Sequence, residues 1–338
     1  MPTFCRHNRL VQNCPICARE QDVELRPVVS PSGPLRSGTA AAGRTAGMPD
    51  ASRSGGTLRS RGGSGRGSPG VTVRRMARGS DDGYRIDLAP GLKSSVDAER
   101  LAEELAWAAA RVAQLASDPP GLYAEVADAG GDLEERTWLA LEIAYLGPLD
   151  GEAPFSAIEQ VRVPWSAGTG PELDDVAVGP RGSHEPARGQ RTVDAYRAWA
   201  ARAGSQAAAF TGDAAWAPER RFARAFERLA LPGLERGARF DLLLTLGATG
   251  TYELRAGALA FGGADPVTLA AKRLLGIGDP LLLERRAAEL AGACGVALEA
   301  LDAAFFNWER GERSSLGMDP GLEPDPAALS GARAALGL

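Results

Sequence analysis

The chain has 338 residues, 44% of them hydrophobic and 24% charged, with a formal net charge of −5. That length holds one large domain or two smaller ones. No stretch approaches the roughly 20 apolar residues needed to cross a bilayer, and the opening MPTFCRHN lacks the apolar core of a secretory signal.

Charge and cysteine are unevenly distributed. Residues 31–80 carry nine arginines against the single acid Asp50, a local charge of about +8, which leaves about −14 on the chain from residue 81 onward. A basic arm on an acidic body can bind phosphate or fold back on the body. Three of the four cysteines lie within residues 5–17 and the fourth, Cys294, is alone. This is no disulfide framework, and a reducing cytoplasm is the expected compartment.

In chain order, residues 1–20 hold a cysteine and histidine cluster. Residues 27–83 are rich in Gly, Ser, Pro and Arg and have almost nothing to bury, so they are expected to form a disordered linker. Residues 84–315 read as a helical body and 316–338 as a C-terminal tail. Within the body, Leu101, Leu105, Ala108, Val112 and Leu115 predict a helix over 96–116, behind a Ser95 cap. A second helix, 132–146, opens at Asp132 and is apolar nearly all round. Glu142 within it must be either partnered or part of a pocket. The next 40 residues or so carry Gly179, Pro180, Gly182, Pro186 and Gly189 and read as a long loop in which His184 has no evident partner. Helical signal resumes at 193–203 and runs through Phe222, Phe226 and Leu229 to a break at Pro232–Gly233. Further helices are expected at 235–247, 251–261, 266–275, 280–293 and 297–309. Strand alternation is almost absent, and the predicted class is all-α.

The N-terminal cluster has the spacing C-x-H-x6-C-x2-C, formed by Cys5, His7, Cys14 and Cys17. Two cysteines separated by two residues can turn both sulfurs toward one tetrahedral metal site. Four S/N ligands leave no open position, so a zinc ion here would be structural. Its binding would supply the folding energy that twenty residues cannot find in a core. The alternative is a chance cluster of thiols. With the arginine-rich segment beside it, the zinc module tilts toward a nucleic-acid partner.

The most informative stretch of the body is Asp265–Arg310. An amphipathic helix leads to Leu275-Gly276-Ile277-Gly278, and Asp279-Pro280 then open a second helix. Two glycines allow backbone conformations closed to other residues and let a phosphate come close. The N–H groups at the start of the following helix would face the anion. Lys272, one turn before the hairpin, suits a phosphate contact. Asp279 would repel one. Gly276 and Gly278 can equally do no more than end one helix and start the next.

Helix, G-I-G hairpin, helix and the following LDAAFFNW resemble the helix-hairpin-helix DNA glycosylases. The stretches RTWLALEIAYLGPL (136–149), PERRFARAFERLALPG (218–233) and AAKRLLGIGDP (270–280) further resemble the alpha-glutamyl/putrescinyl thymine pyrophosphorylase family, in its third clade. The resemblance spans most of 96–310. It implies a helical glycosylase-like body acting on a hypermodified pyrimidine in DNA, in phage defence or DNA-modification metabolism. It also implies DNA contacts at Lys272, Gly276, Ile277 and Gly278, and a catalytic carboxylate at Asp302. The lysine that lyase-type members carry just after the hairpin is replaced here by Asp279, Pro280 and Leu281, so the implied enzyme is monofunctional.

Two functions remain open at this point. In one, an ionised Asp302 opposes the positive charge developing on the deoxyribose of a flipped-out base. In the other, hairpin and zinc module only hold nucleic acid and Asp302 is an acid in the first turn of a helix. The first expects Asp302 at the floor of a cavity near the hairpin, and the second on a filled, solvated face. Phe305, Phe306 and Trp308 read as core.

Overall fold

A computed structural model describes residues 78–338, all of which fall in the second of the two units into which the chain divides. Among these residues every regular element is a helix. The predicted all-α class holds for them. The zinc-ligand set Cys5, His7, Cys14 and Cys17 and residues 27–77 of the expected linker lie outside the described residues.

The first long helix, α1, runs Ser95–Ser117 and buries Leu101, Leu105, Ala108 and Leu115 along one face. Its N-cap is Ser94, one residue before the serine expected to cap it. Asp82 accepts from Ser95 N at 2.9 Å, so an acid from the preceding segment satisfies the exposed helix start. Gly79 N also donates to Asp97 Oδ1, at 3.2 Å. Residues 78–83 are therefore held on the body and are not part of a linker.

After α2 (Leu122–Ala127) comes α3, Leu133–Leu146. Asp132 caps α3 as expected, accepting from Glu134 N and Glu135 N. All ten residues from Thr137 to Leu146 are buried, Glu142 included. The long loop that follows contains a short helix, α4 (Ser156–Val161), and one 3-10 turn at Trp165–Ala167. His184 is also partnered there: Nε2 lies 2.8 Å from the Leu173 carbonyl and Nδ1 3.1 Å from the Tyr145 hydroxyl. A carbonyl can only accept, so Nε2 carries a proton, and the ring is anchored at both nitrogens.

The next helices are α5 (Gly189–Ala203), α6 (Gln206–Thr211), α7 (Pro218–Arg228) and α8 (Arg236–Ala248). A chain of rings, Trp138–Tyr196–Trp199–Phe210–Tyr252, fills the space between α3, α5 and α6 with centroids 5.1–5.9 Å apart.

Residues 251–261, expected to be helical, are not. Their backbone groups are met by side chains instead. Glu284 accepts from Leu259 N and Phe261 N at 2.7 and 2.8 Å, Glu299 accepts from Ala256 N at 2.7 Å, and Arg236 donates to the Leu259 and Ala260 carbonyls. Leu254, Ala256, Leu259 and Phe261 are buried in this irregular course, so the apolar spacing was real but served a loop laid over the core.

The hairpin helices follow as α9 (Pro266–Leu275) and α10 (Pro280–Cys294), then α11 (Leu298–Arg310). The C-terminal residues do not form a separate tail. Pro326–Leu336 make α12, which packs on α1 and α10 and buries Ala332 and Leu336. Gly331 allows that approach, because a Cβ there would meet the Cys294 carbonyl at 2.6 Å. α11 lies between α1 and α9, which places Asp302 at the middle of the body.

Candidate functional site

Asp302 sits one turn into α11 and is 1% exposed. Its Oδ1 accepts from Arg181 Nη2 at 2.5 Å and its Oδ2 from Arg236 Nη2 at 2.5 Å. Arg181 Nε donates to Asp241 Oδ2 at 2.5 Å, Arg111 lies 3.6 Å from Asp241, and Arg236 lies 3.4 Å from Asp265. The result is a run of alternating charge, Arg111–Asp241–Arg181–Asp302–Arg236–Asp265, buried at Asp302 and the three arginines and half-buried at Asp241 and Asp265. It links α1, α8, the cap of α9, α11 and the loop before α5. Burial opposes ionisation of Asp302, but Arg236 and Arg181 outweigh it and hold the carboxyl below the usual aspartate range. Burial likewise opposes the charge on Arg181, and Asp241 and Asp302 reverse that effect.

This arrangement is neither of the two expected for Asp302. It is not on a solvated face, and the N-cap of α11 is Ala297, so its carboxylate is not a helix cap. It also lines neither of the two clefts that border Arg181. The larger of the two, about 80 Å³, is bordered by Arg181 together with Pro180, Gly182, Gly237, Asp265 and Phe306. Arg181 stacks over the Phe306 ring there, 4.8 Å from its centroid. Buried guanidinium N–H groups are left without a hydrogen-bond partner at Arg181 Nη1, Arg236 Nη1 and Arg111 Nε and Nη1. A carboxylate with both oxygens taken cannot touch a sugar unless Arg181 or Arg236 moves.

The hairpin is at the surface. Gly276 closes α9 with φ +66°, a left-handed conformation that a side chain would strain, and its N–H bonds the Lys272 carbonyl at 3.0 Å. Gly278 is exposed, and a Cβ added to it would meet nothing within 4 Å. Ile277 turns half-inward and packs on the core. Asp279 caps α10, accepting from Leu282 N at 3.0 Å, so a carboxylate already occupies the helix start. Leu281 and Leu282 stand beside it 81% and 50% exposed. The two glycines thus form an exposed corner, and Lys272 is half-buried in the last turn of the helix before it. Asp302 belongs to the interior behind them.

The arginines were not among the residues singled out from sequence. Arg111, Arg181 and Arg236 each look like one of many in an arginine-rich chain. A usable signal existed in Arg111, which falls on the apolar face of α1 and therefore needs a buried acid.

Glu142 resolves differently from Asp302. It is 5% exposed, lines a cleft of about 480 Å³ between α2, α3 and the segment after α4, and its buried Oε1 has no hydrogen-bond partner. Burial pushes its carboxyl up to about 8. Of the two outcomes expected for this residue, the structure shows the pocket.

Among the described residues no group of three or more His, Cys, Asp or Glu side chains is placed to hold a metal ion, and no helix is long and apolar enough to cross a membrane. No family model, no curated protein and no solved structure matches the chain.

Proposed function

We propose that this chain binds nucleic acid through the Gly276–Gly278 hairpin, with Asp302 as the charge that organises the body behind it. The observation that carries the reading is the exposed glycine pair, with Gly276 in the left-handed region and open space at Gly278, next to Lys272. Glycines in such a turn let a phosphate oxygen reach the backbone N–H groups. The arginines of 31–80 would supply the attraction that an acidic body lacks. Asp279 opposes it, so the expected binding is modest and salt-dependent.

Fluorescence anisotropy with labelled duplex DNA tests this. Gly278→Val should weaken binding by about tenfold, on the order of 1.4 kcal/mol, at an unchanged melting temperature. Equal affinity in the variant would remove the hairpin from the interface. The cluster Cys5, His7, Cys14 and Cys17 is proposed to hold one structural zinc as a second contact module. Metal analysis of Cys14→Ser should find the zinc lost while the helical signal persists, and full zinc content would refute the ligand set.

A glycosylase-like activity on a modified base is the second reading. Favouring it are the ionised state of Asp302 and a cleft one side chain away, beyond Arg181. Displacement of Arg181 by a bound sugar-phosphate would open the carboxylate to the anomeric centre. Incubation with normal and hypermodified phage DNA, followed by mass spectrometry of released bases, decides between the two. Release of a modified base makes the chain an enzyme, and tight binding without release leaves it an adaptor.

A further inference from the structure

Helix α3 is LEERTWLALEIAYL, and beyond Arg136 its one charged residue is Glu142. An acid in that position faces a strong desolvation cost unless something partners it. Its charged neighbours in the cleft are all committed elsewhere. Arg162 grips Glu125 through both terminal nitrogens, at 2.9 and 3.2 Å. Glu135 accepts from Trp165 N and Ser166 N at 2.6 and 3.0 Å. Asp132 caps α3, Asp128 accepts from Gly130 N, and Arg136 donates to the Val126 carbonyl at 2.7 Å. Glu142 Oε1 alone is left buried without a partner, in a cavity large enough for a small molecule.

The chemistry of the walls selects the ligand. Glu125, Asp128, Asp132 and Glu135 face two arginines, Arg136 and Arg162, so the cleft is negative even with Glu142 uncharged. An anion is disfavoured there. A metal ion is disfavoured too, because no three acids converge closely enough to coordinate one. Leu139, Val163 and Pro164 give the cleft an apolar side. We propose that it binds a small organic cation with an apolar stem, whose N–H donates to Glu142 while the stem lies against Leu139, Val163 and Pro164. The site is separate from the hairpin and from Asp302, and stands or falls independently of the nucleic-acid reading.

A proton is linked to this binding. Burial raises Glu142 to about 8, opposed in part by the Val163 backbone, Arg162, Trp138 and Arg197. At pH 7 the empty site therefore holds Glu142 as a neutral acid, and a cation favours the ionised form and expels the proton. The remaining charges that face it are Arg136 and Glu135 on its own helix, Glu125 on α2 and Asp128 and Asp132 between them. Below pH 8 the affinity for a cation should rise by about tenfold per pH unit and then level off.

Benzamidine is a suitable probe, with benzamide as its uncharged isostere. Calorimetry on the full chain at pH 7, in two buffers of different ionisation enthalpy, should show saturable benzamidine binding with close to one proton released. Benzamide should bind at least about tenfold more weakly, a difference of 1.4 kcal/mol. Glu142→Gln keeps the side-chain shape, and its fold can be checked by circular dichroism. It should lose about tenfold or more in benzamidine affinity and release no proton. Equal affinity of wild type and variant, equal binding of benzamide, or no saturable binding up to millimolar benzamidine would each overturn the proposal.

Discussion

Asp302 and Glu142 are both carboxylates buried in core helices, 1% and 5% exposed, and they meet burial in opposite ways. Asp302 is bracketed by Arg181 and Arg236 and stays charged, below the usual aspartate range. Glu142 has no partner for Oε1 and rises to about 8, becoming a neutral acid at pH 7. Burial alone therefore says little about what an acid does. Where the Coulomb partners come with the burial, the group is a structural charge with no spare capacity. Where they do not, the unspent hydrogen-bonding capacity faces a cavity, and that is where a ligand gains most.

The largest effect should come from removing the charge at Asp302. Asn retains the shape but leaves Arg181 and Arg236 as buried cations facing each other across an amide. Breaking one member of a buried ion network typically costs about 3–5 kcal/mol. Urea unfolding of Asp302→Asn should show a loss of that size. A purely catalytic Asp302 would make the variant inactive with an intact fold, and a first-turn acid would make it nearly silent. The two arginines change that expectation. A variant of wild-type stability would mean that the network relaxes, and that Asp302 is freer to act on a substrate than its contacts suggest.

Glu142→Gln should move stability the other way. The folded carboxyl at about 8 lies above its ordinary 4.5, so the native state holds a proton that the unfolded state releases. Between those values wild-type stability falls as pH rises, and above about 8 the dependence ends. Each pH unit climbed in that window costs about 1.4 kcal/mol, so at pH 7 the deficit is roughly 3 kcal/mol. Gln carries no such penalty, so the variant should gain on wild type steadily from pH 5 to 8. A stability difference constant across that range would show that Glu142 is not held neutral, and would erase the contrast with Asp302.

Glu284 is a third way to satisfy an acid, since its carboxylate accepts from two backbone N–H groups, Leu259 and Phe261. Glu284→Ala leaves both donors facing an apolar neighbourhood and should cost about 2 kcal/mol. Hydrogen exchange should quicken at Leu259 and Phe261 before it does in α8. Protection unchanged at those two amides would show that the segment holds its course without Glu284.

That loop also marks where the sequence stops being legible. Helices α1, α3, α8, α9, α10 and α11 follow from apolar spacing and caps that act over a few residues, and Asp132 could be named as a cap because its partners are two and three positions away. Residues 251–261 have helical spacing too, but acids 25 and 43 positions away take their N–H groups, and no local pattern encodes that. The same holds for α12, whose Ala- and Gly-rich sequence resembles a tail until Gly331 is seen against Cys294. At the site, Glu142 was conspicuous because it interrupts an apolar helix. Asp302 was conspicuous by its position after the hairpin. The arginines that define its state were hidden, because pairing across 121 and 66 positions leaves no trace in spacing.

The smallest effect, and the one that isolates burial from chemistry, should come from Asp265→Asn. Asp265 ends the same charge run as Asp302 and loses the same single charge, but its side chain is 15% exposed and its pair with Arg236 is longer, at 3.4 Å. Its other role is to cap α9 by accepting from Thr268 N at 3.0 Å, and Asn caps nearly as well as Asp. Water can approach its carboxylate, so the attraction lost is weak and the remaining charge is partly solvated. Arg236 keeps Asp302 and the Leu259 and Ala260 carbonyls. The expected cost is under about 1 kcal/mol, several-fold below that of Asp302→Asn. If the two variants lose equal stability, the charge run acts as one unit and burial of the individual acid does not set its worth. If Asp265→Asn is nearly silent, the energy is concentrated where both oxygens of one carboxylate are enclosed by two arginines.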